Sequence, residues 1–273
     1  MSSKITASRS PGGRLLNIEW VDSLPSAAAY IEEVARHGGS DGYVVVAKST
    51  GEPEEKPRSE KKQKEQPLTL FVSILLRPSI LPERAMMLAA LGSLALTRAI
   101  RRHSSHEPTI RWISDVYAGK QQIGNTVLRA ALRPTGSFNY LLVNFSLLIT
   151  PSFTGNLSDI VRNVFSQHRM TLPDQVAETL ITEFFTLYEP FSAADEKLPA
   201  AFLDEYREFS VPVRDTRVHI LQNGIRTPAT VVGIDDRARL IVKPKHSSES
   251  ITLRSAAELY DPHRIKKQKR TDT

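Results

Sequence analysis

The chain has 273 residues, 40% of them hydrophobic and 24% charged, with a formal net charge of +6 and no cysteine. That length suits one large domain with a smaller one, and the lack of thiols excludes disulfides, cysteine nucleophiles and cysteine zinc sites. The last ten residues carry five cations against one anion and Lys4, Arg9 and Arg14 add three more cations, which leaves the remainder at −1; the charge pattern therefore excludes a strongly basic folded body and points to basic tails.

Residues 1–14 hold no apolar run after their charge, so neither a signal peptide nor a packed element is expected there, only a flexible tail. Residues 15–22 alternate well enough for a strand, and Ser23 or Ser26 can cap the helix that follows. Ala27, Tyr30, Ile31 and Val34 form one face of that helix, and Gly38-Gly39 ends it. Residues 43–47 form a strand of buried type. Between 51 and 67 the chain turns to Pro, Glu, Lys and Gln with no large apolar residue, which predicts a mobile loop.

Residues 68–76 resume as a strand. Pro82 suits the first turn of a helix running to about His103. Its stretch Ala85–Thr97 is the longest uncharged apolar run, short of the roughly 20 residues needed to cross a bilayer, so no membrane association is expected. The lack of cysteine suits a cytoplasmic setting. Strands are predicted over 110–113, 124–132 and 140–150, and helices near 157–168, 173–188 and 198–209. From Val211 the chain breaks into short strands near 218–222, 230–234, 238–242 and 250–253, joined by polar turns such as Asn223-Gly224, the pattern of a small barrel. The expected organisation is a tail over 1–14, an α+β domain over 15–209 containing the loop 51–67, a barrel over 210–260 and a basic disordered tail over 261–273.

The run Arg111-Trp112-Ile113-Ser114-Asp115, followed by Lys120-Gln121-Gln122-Ile123-Gly124, resembles the active-site stretch of the biotin–protein ligases. There a Lys-Trp-Pro-Asn-Asp run ends one strand and Lys-x-x-Gly opens the next. Val21-Asp22-Ser23 is similar to the start of that family's Asp-Ser-Thr-Asn motif. Thr230-Val231-Val232-Gly233-Ile234-Asp235, Leu240-Ile241-Val242 and Ile251-Thr252-Leu253-Arg254-Ser255 resemble its C-terminal pattern. The resemblance spans residues 15–260. It implies a class II synthetase-like, mixed-sheet catalytic domain with an SH3-like barrel behind it.

It also implies a chemistry: biotin and ATP form biotinyl-adenylate, and a carrier-domain lysine then takes the biotin. Both steps build negative charge that must meet preorganised cations and N–H donors. Carried over by position, Arg111 and Lys120 would bear phosphate charge and Asp115 would hold Mg²⁺. Ser23, Trp112, Gln121, Gly124, Asn144 and Ser146 would line the pocket, and Arg58, Lys61 and Lys62 would reach the phosphates.

The sequence departs from the family in four places. Arg111 replaces Lys, and the two differ as phosphate ligands. Gln121 stands where the second Lys belongs. The segment 51–67 has one Gly and several Glu where a Gly-Arg loop is expected. Asn144, Ser146 and Leu148 replace the small residues of a Gly-x-Gly-x-Asn strand. Two functions stay open: a divergent biotin–protein ligase that takes biotin, ATP and Mg²⁺ and acts on a biotin carrier domain, or an inactive binding, assembly or sensor module on the same scaffold. The stretch before Leu15 is too short for a helix-turn-helix, so no specific DNA binding is expected; a homodimer is left open. His103-x-x-His106 has metal-ligand spacing but lies at a helix end, where local roles are commoner.

Overall fold

The computed structural model describes residues 3–22, 24, 26–50, 68–103, 107–149, 172–193, 201–222, 224–253 and 255–259. The loop read over 51–67, the helix over 157–168, the tail over 261–273, and Ser23, Arg58, Lys61, Lys62 and His106 lie outside these residues.

Nine strands form one mixed sheet in the order β1-β2-β3-β4-β8-β7-β6-β5-β9. They are β1 (Ser3–Arg9), β2 (Leu15–Val21), β3 (Tyr43–Thr50), β4 (Leu68–Leu76), β5 (Pro108–Arg111), β6 (Asp115–Ala118), β7 (Gln121–Leu132), β8 (Phe138–Ile149) and β9 (Ser210–Val211). The pairs β2–β3 and β5–β9 are parallel and the others antiparallel. The helices are α1 (Ala27–Arg36), α2 (Ala85–His103), α3 (Leu172–Ala193) and α4 (Leu203–Phe209). Ser26 caps α1 by accepting from the Ala29 amide at 3.2 Å, which satisfies one of the helix's open donors.

Helices α2 and α3 cover one face of the sheet. Val44, Val72, Ile74, Val143 and Phe145 point into them, as the period-2 alternation of strands requires. Helix α2 lies close on β7 because a glycine on each side of the contact leaves room for a side chain of the other. A Cβ on Gly92 would sit 2.7 Å from Thr126 Cγ2, and one on Gly124 would sit 2.9 Å from both Leu96 Cδ2 and the Ser146 carbonyl oxygen. Helix α1 covers part of the opposite face, over Val45, Leu75, Tyr140 and Leu142.

Beyond β9, a four-stranded antiparallel sheet forms from β10 (Arg217–Gln222), β11 (Ile225–Ile234), β12 (Leu240–Pro244) and β13 (Ile251–Leu253). Its inner residues Ile220, Val231, Leu240, Val242 and Leu253 belong to the same apolar core as α2 and α3. Hydrogen bonds seam the units: Trp112 Nε1 donates to the Ala238 carbonyl at 2.8 Å, and Arg207 donates through Nε to the Ile234 carbonyl at 3.1 Å and through Nη2 to Asp236 Oδ1 at 2.7 Å.

Two expectations are corrected. Ser3–Arg9, read as a tail, is strand β1, held by seven register pairs with β2. Nearly every one of its residues is exposed, so pairing, not burial, makes it a strand. Between the strands predicted over 110–113 and 124–132 none was expected, yet Asp115–Ala118 is strand β6; the turn falls at Gly119-Lys120, where Gly119 has φ +56°.

Candidate functional site

The sheet register places several of the residues singled out from sequence on one line. Arg111 pairs with Asp115, Asp115 with Asn125, Asn125 with Ser146, and Ser146 with Phe71. Residues directly opposite across a ladder share a face. Their chain neighbours Ile110, Val116, Phe145 and Leu70 all enter the core beneath α2 and α3, so the row looks out from the other side. Two residues along β8, Asn144 lies between Ser73 and Val127 and shares that outlook.

The polar groups of this face bond to one another. Ser73 Oγ donates to Asn144 Oδ1 at 2.9 Å, and Asn144 Nδ2 donates to the Val127 carbonyl at 3.3 Å. Ser146 Oγ donates to Asn125 Oδ1 at 2.5 Å. These bonds fix the side-chain amides: Asn144 presents its oxygen to β4 and its nitrogen to β7. They are what the bulkier residues at 144 and 146 do in place of small ones.

At the β5–β6 end, the Arg111 guanidinium lies over the Tyr117 ring, 4.0 Å from its centre, and Nη1 donates to the phenol oxygen at 3.3 Å. The cation is thus held over an aromatic face, an arrangement worth about 0.5–2 kcal/mol. Asp115, directly opposite, is 9% exposed.

Four of the residues expected at the site are elsewhere. Trp112 is fully buried. Its indole bonds to Ala238, so it joins the two sheets and walls no open pocket among the described residues. Lys120 and Gln121 are exposed and lie at the turn end of the β6–β7 hairpin, where Gln121 pairs with Ala118; Asp115 is at the other end. A register irregularity between Val116 and Tyr117 places Gln122 opposite Tyr117, so Gln122, not Gln121, shares the face of the row. A β-bulge re-aims a side chain in this way, and counting positions in the sequence cannot show it. Gly124 is buried under Leu96, a packing role on the helix side. Asn125, Ser73, Tyr117 and Gln122 were not anticipated. Asn125 had a usable signal: a lone amide in a strand opposite Ser146.

On the α1 side of the same face, Glu19 is buried and accepts from two phenols, Tyr30 at 3.1 Å and Tyr43 at 2.7 Å. Burial, then the adjacent carboxylate, pushes both phenol pKa values up. His103 bonds locally: its Nε2 is 2.8 Å from Thr179 Oγ1, which itself donates to the Gln175 carbonyl, so the imidazole is the donor. No group of three or more His, Asp or Glu able to hold a metal occurs among the described residues. A groove of about 720 Å³ lies on the α3 side, lined by Thr6, Trp20, Lys48, Asp174 and Glu178; none of the described residues expected at the site lines it.

No family model and no curated protein matches the chain. Solved structures do. A biotin protein ligase-like protein of unknown function from a Silicibacter species aligns with a TM-score of 0.61 and 12% identity, over 90% of this chain and 96% of that one. The biotin protein ligase of Aquifex aeolicus aligns with a TM-score of 0.57 and 16% identity, over 87% of this chain and 98% of that one. Its complex with biotin and ATP gives the same score and identity, over 87% and 99%. The chain has the α+β fold of the biotin protein ligases, with a second antiparallel sheet at its C-terminus.

Proposed function

We propose that this chain is a divergent relative of the biotin protein ligases that has given up adenylate formation and works as a binding or sensing module through the Ser73–Asn144 and Asn125–Ser146 face. The observation that carries this reading is the stacking of Arg111 on Tyr117. Adenylation concentrates negative charge on a triphosphate, which needs several cations converging on it. Among the described residues, the row itself offers one Arg, engaged with a ring; Lys120 and Gln121 lie away at the hairpin turn. Asp115 supplies one carboxylate, and Mg²⁺ takes its remaining ligands from waters and phosphates. These residues do not fit a triphosphate, and no step is derived through one. A face of bonded amides and hydroxyls instead suits an uncharged hydrogen-bonding group such as a cyclic urea, and biotin, whose ureido ring is one, is the first candidate.

The test mixes the full chain with biotin, Mg-ATP and a biotin carrier domain and weighs the carrier. No mass gain, with thermal stabilisation by biotin alone, is the expected result. A gain of one biotin on the carrier overturns it. The second reading, ATP-dependent biotin transfer to a carrier-domain lysine, is favoured by one observation: Arg111 stands directly opposite Asp115, a phosphate-type cation beside a metal-type carboxylate. It requires that Asp115→Asn abolish the mass gain. No described helix is long and apolar enough to cross a membrane; a cytoplasmic location and pairing of two copies through edge strand β1 complete the reading.

A further inference from the structure

The near-neutral sum of the chain between its tails hides a local concentration. Strands β10–β13 contain Arg217, Arg226 and Lys243 and no Asp or Glu. Inner residues of these strands enter the core, so the alternate residues face out. Arg217 and Lys243 both pair with Thr230, one from each side, which sets them about 9–10 Å apart on one transverse row. Two residues along the strands, the Lys245 amide bonds to the Pro228 carbonyl at 2.9 Å and His219 pairs with Pro228. A further step brings Arg226, opposite Leu221. Cations therefore recur in successive rows about 7 Å apart. Arg217, Arg226, Lys243 and Lys245 are all exposed.

Two of the unit's carboxylates are engaged at its margin. Asp235 pairs with Arg239, and Asp236 with Arg207 of α4, each at 2.7 Å. Leu259 bridges to Ile220, so the chain leaves the sheet beside β10, and the five cations of the last ten residues follow in sequence.

The geometry points to the outer face of the β10–β13 sheet as a site for the phosphate backbone of a double-stranded nucleic acid, bound without reading its bases. A regular array of exposed cations releases condensed counterions from a phosphate backbone. The face carries no Phe, Tyr or Trp, so it lacks the stacking platforms that single strands use. This inference is independent of any ligase activity.

The experiment titrates the full chain into a fluorescent DNA duplex and into its single strand, followed by anisotropy between about 50 and 200 mM salt. Duplex binding is expected, with a log–log salt slope of about −4 and an affinity loss of roughly a hundredfold across that range. Replacing Arg217, Arg226, Lys243 and Lys245 together by Ala abolishes most of the slope, and the all-Lys version of Arg217 and Arg226 retains it; equal melting temperatures show that the variants fold. Three results overturn the inference: no salt-dependent binding by the wild type, unchanged binding by the fourfold Ala variant, or binding to polyglutamate but not to the duplex. The last would assign the face to an acidic protein.

Discussion

The Arg111 guanidinium lies over the Tyr117 ring at 4.0 Å from its centre, and the phenol oxygen accepts from the same cation. Tyr117→Leu removes both contacts and leaves a cation beside Asp115 without its platform. A loss of about 1–2 kcal/mol is expected, read as a lower denaturant midpoint at constant slope. If Tyr117→Leu matches the wild type while Arg111→Met does not, the pair is not the unit described.

Trp112→Phe keeps the ring in the core and deletes the bond to Ala238. The buried Ala238 carbonyl then lacks its donor, at a cost of about 1–3 kcal/mol. Because that bond seams the two sheets, the loss should broaden the calorimetric transition or split it. A single transition at the original temperature would show that the seam lies elsewhere.

Gly124→Ala must push Leu96 or the Ser146 strand aside, since the new carbon would lie 2.9 Å from each. Overpacking of this kind costs about 1–3 kcal/mol. The effect is on stability with no ligand present. A variant with the parent's melting temperature would return Gly124 to the pocket.

Glu19→Leu orphans two phenol hydroxyls, those of Tyr30 and Tyr43. A loss of about 2–4 kcal/mol is expected. Adding Tyr30→Phe and Tyr43→Phe removes the stranded donors and recovers part of it, so the three changes together should unfold later than Glu19→Leu alone.

His103 carries a pH signature. Burial, then the neighbouring Arg102, lowers its pKa from the ordinary 6.5. The folded state thus binds fewer protons than the unfolded chain in the window just below 6.5, and stability falls as pH drops through it. His103→Gln should flatten that part of the stability–pH curve. An unchanged acid limb would locate its origin in another group.

Much of the fold was legible because burial writes itself as alternation. Leu68–Leu76 and the apolar run of α2 are unambiguous in sequence; Ser26 marks the start of α1, and Pro82 opens the 3-10 turn Pro82–Arg84 that leads into α2. Strand β1 was not legible: Ser-Lys-Ile-Thr-Ala-Ser-Arg has no apolar face, and only its partner β2 makes it a strand. At the candidate site, Arg111 and Asp115 could be found by motif, and Asn144 and Ser146 by position on β8. The irregularity that turns Gln122 rather than Gln121 toward Tyr117 is a tertiary fact. Trp112 shows the remaining ambiguity, since a Trp beside a strand end can wall a ligand or anchor a neighbour, and only the partner at position 238 decides.

The shared interior of the two sheets governs how the molecule can be cut. Truncation after Val211 would strip Ile220, Leu240 and Leu253 from the wall of aliphatic side chains they complete, leaving the indole of Trp112 and the last helix facing water. The shortened product should be prone to aggregation, so the evolutionary gain or loss of either half alone is a far less accessible route than change within the whole.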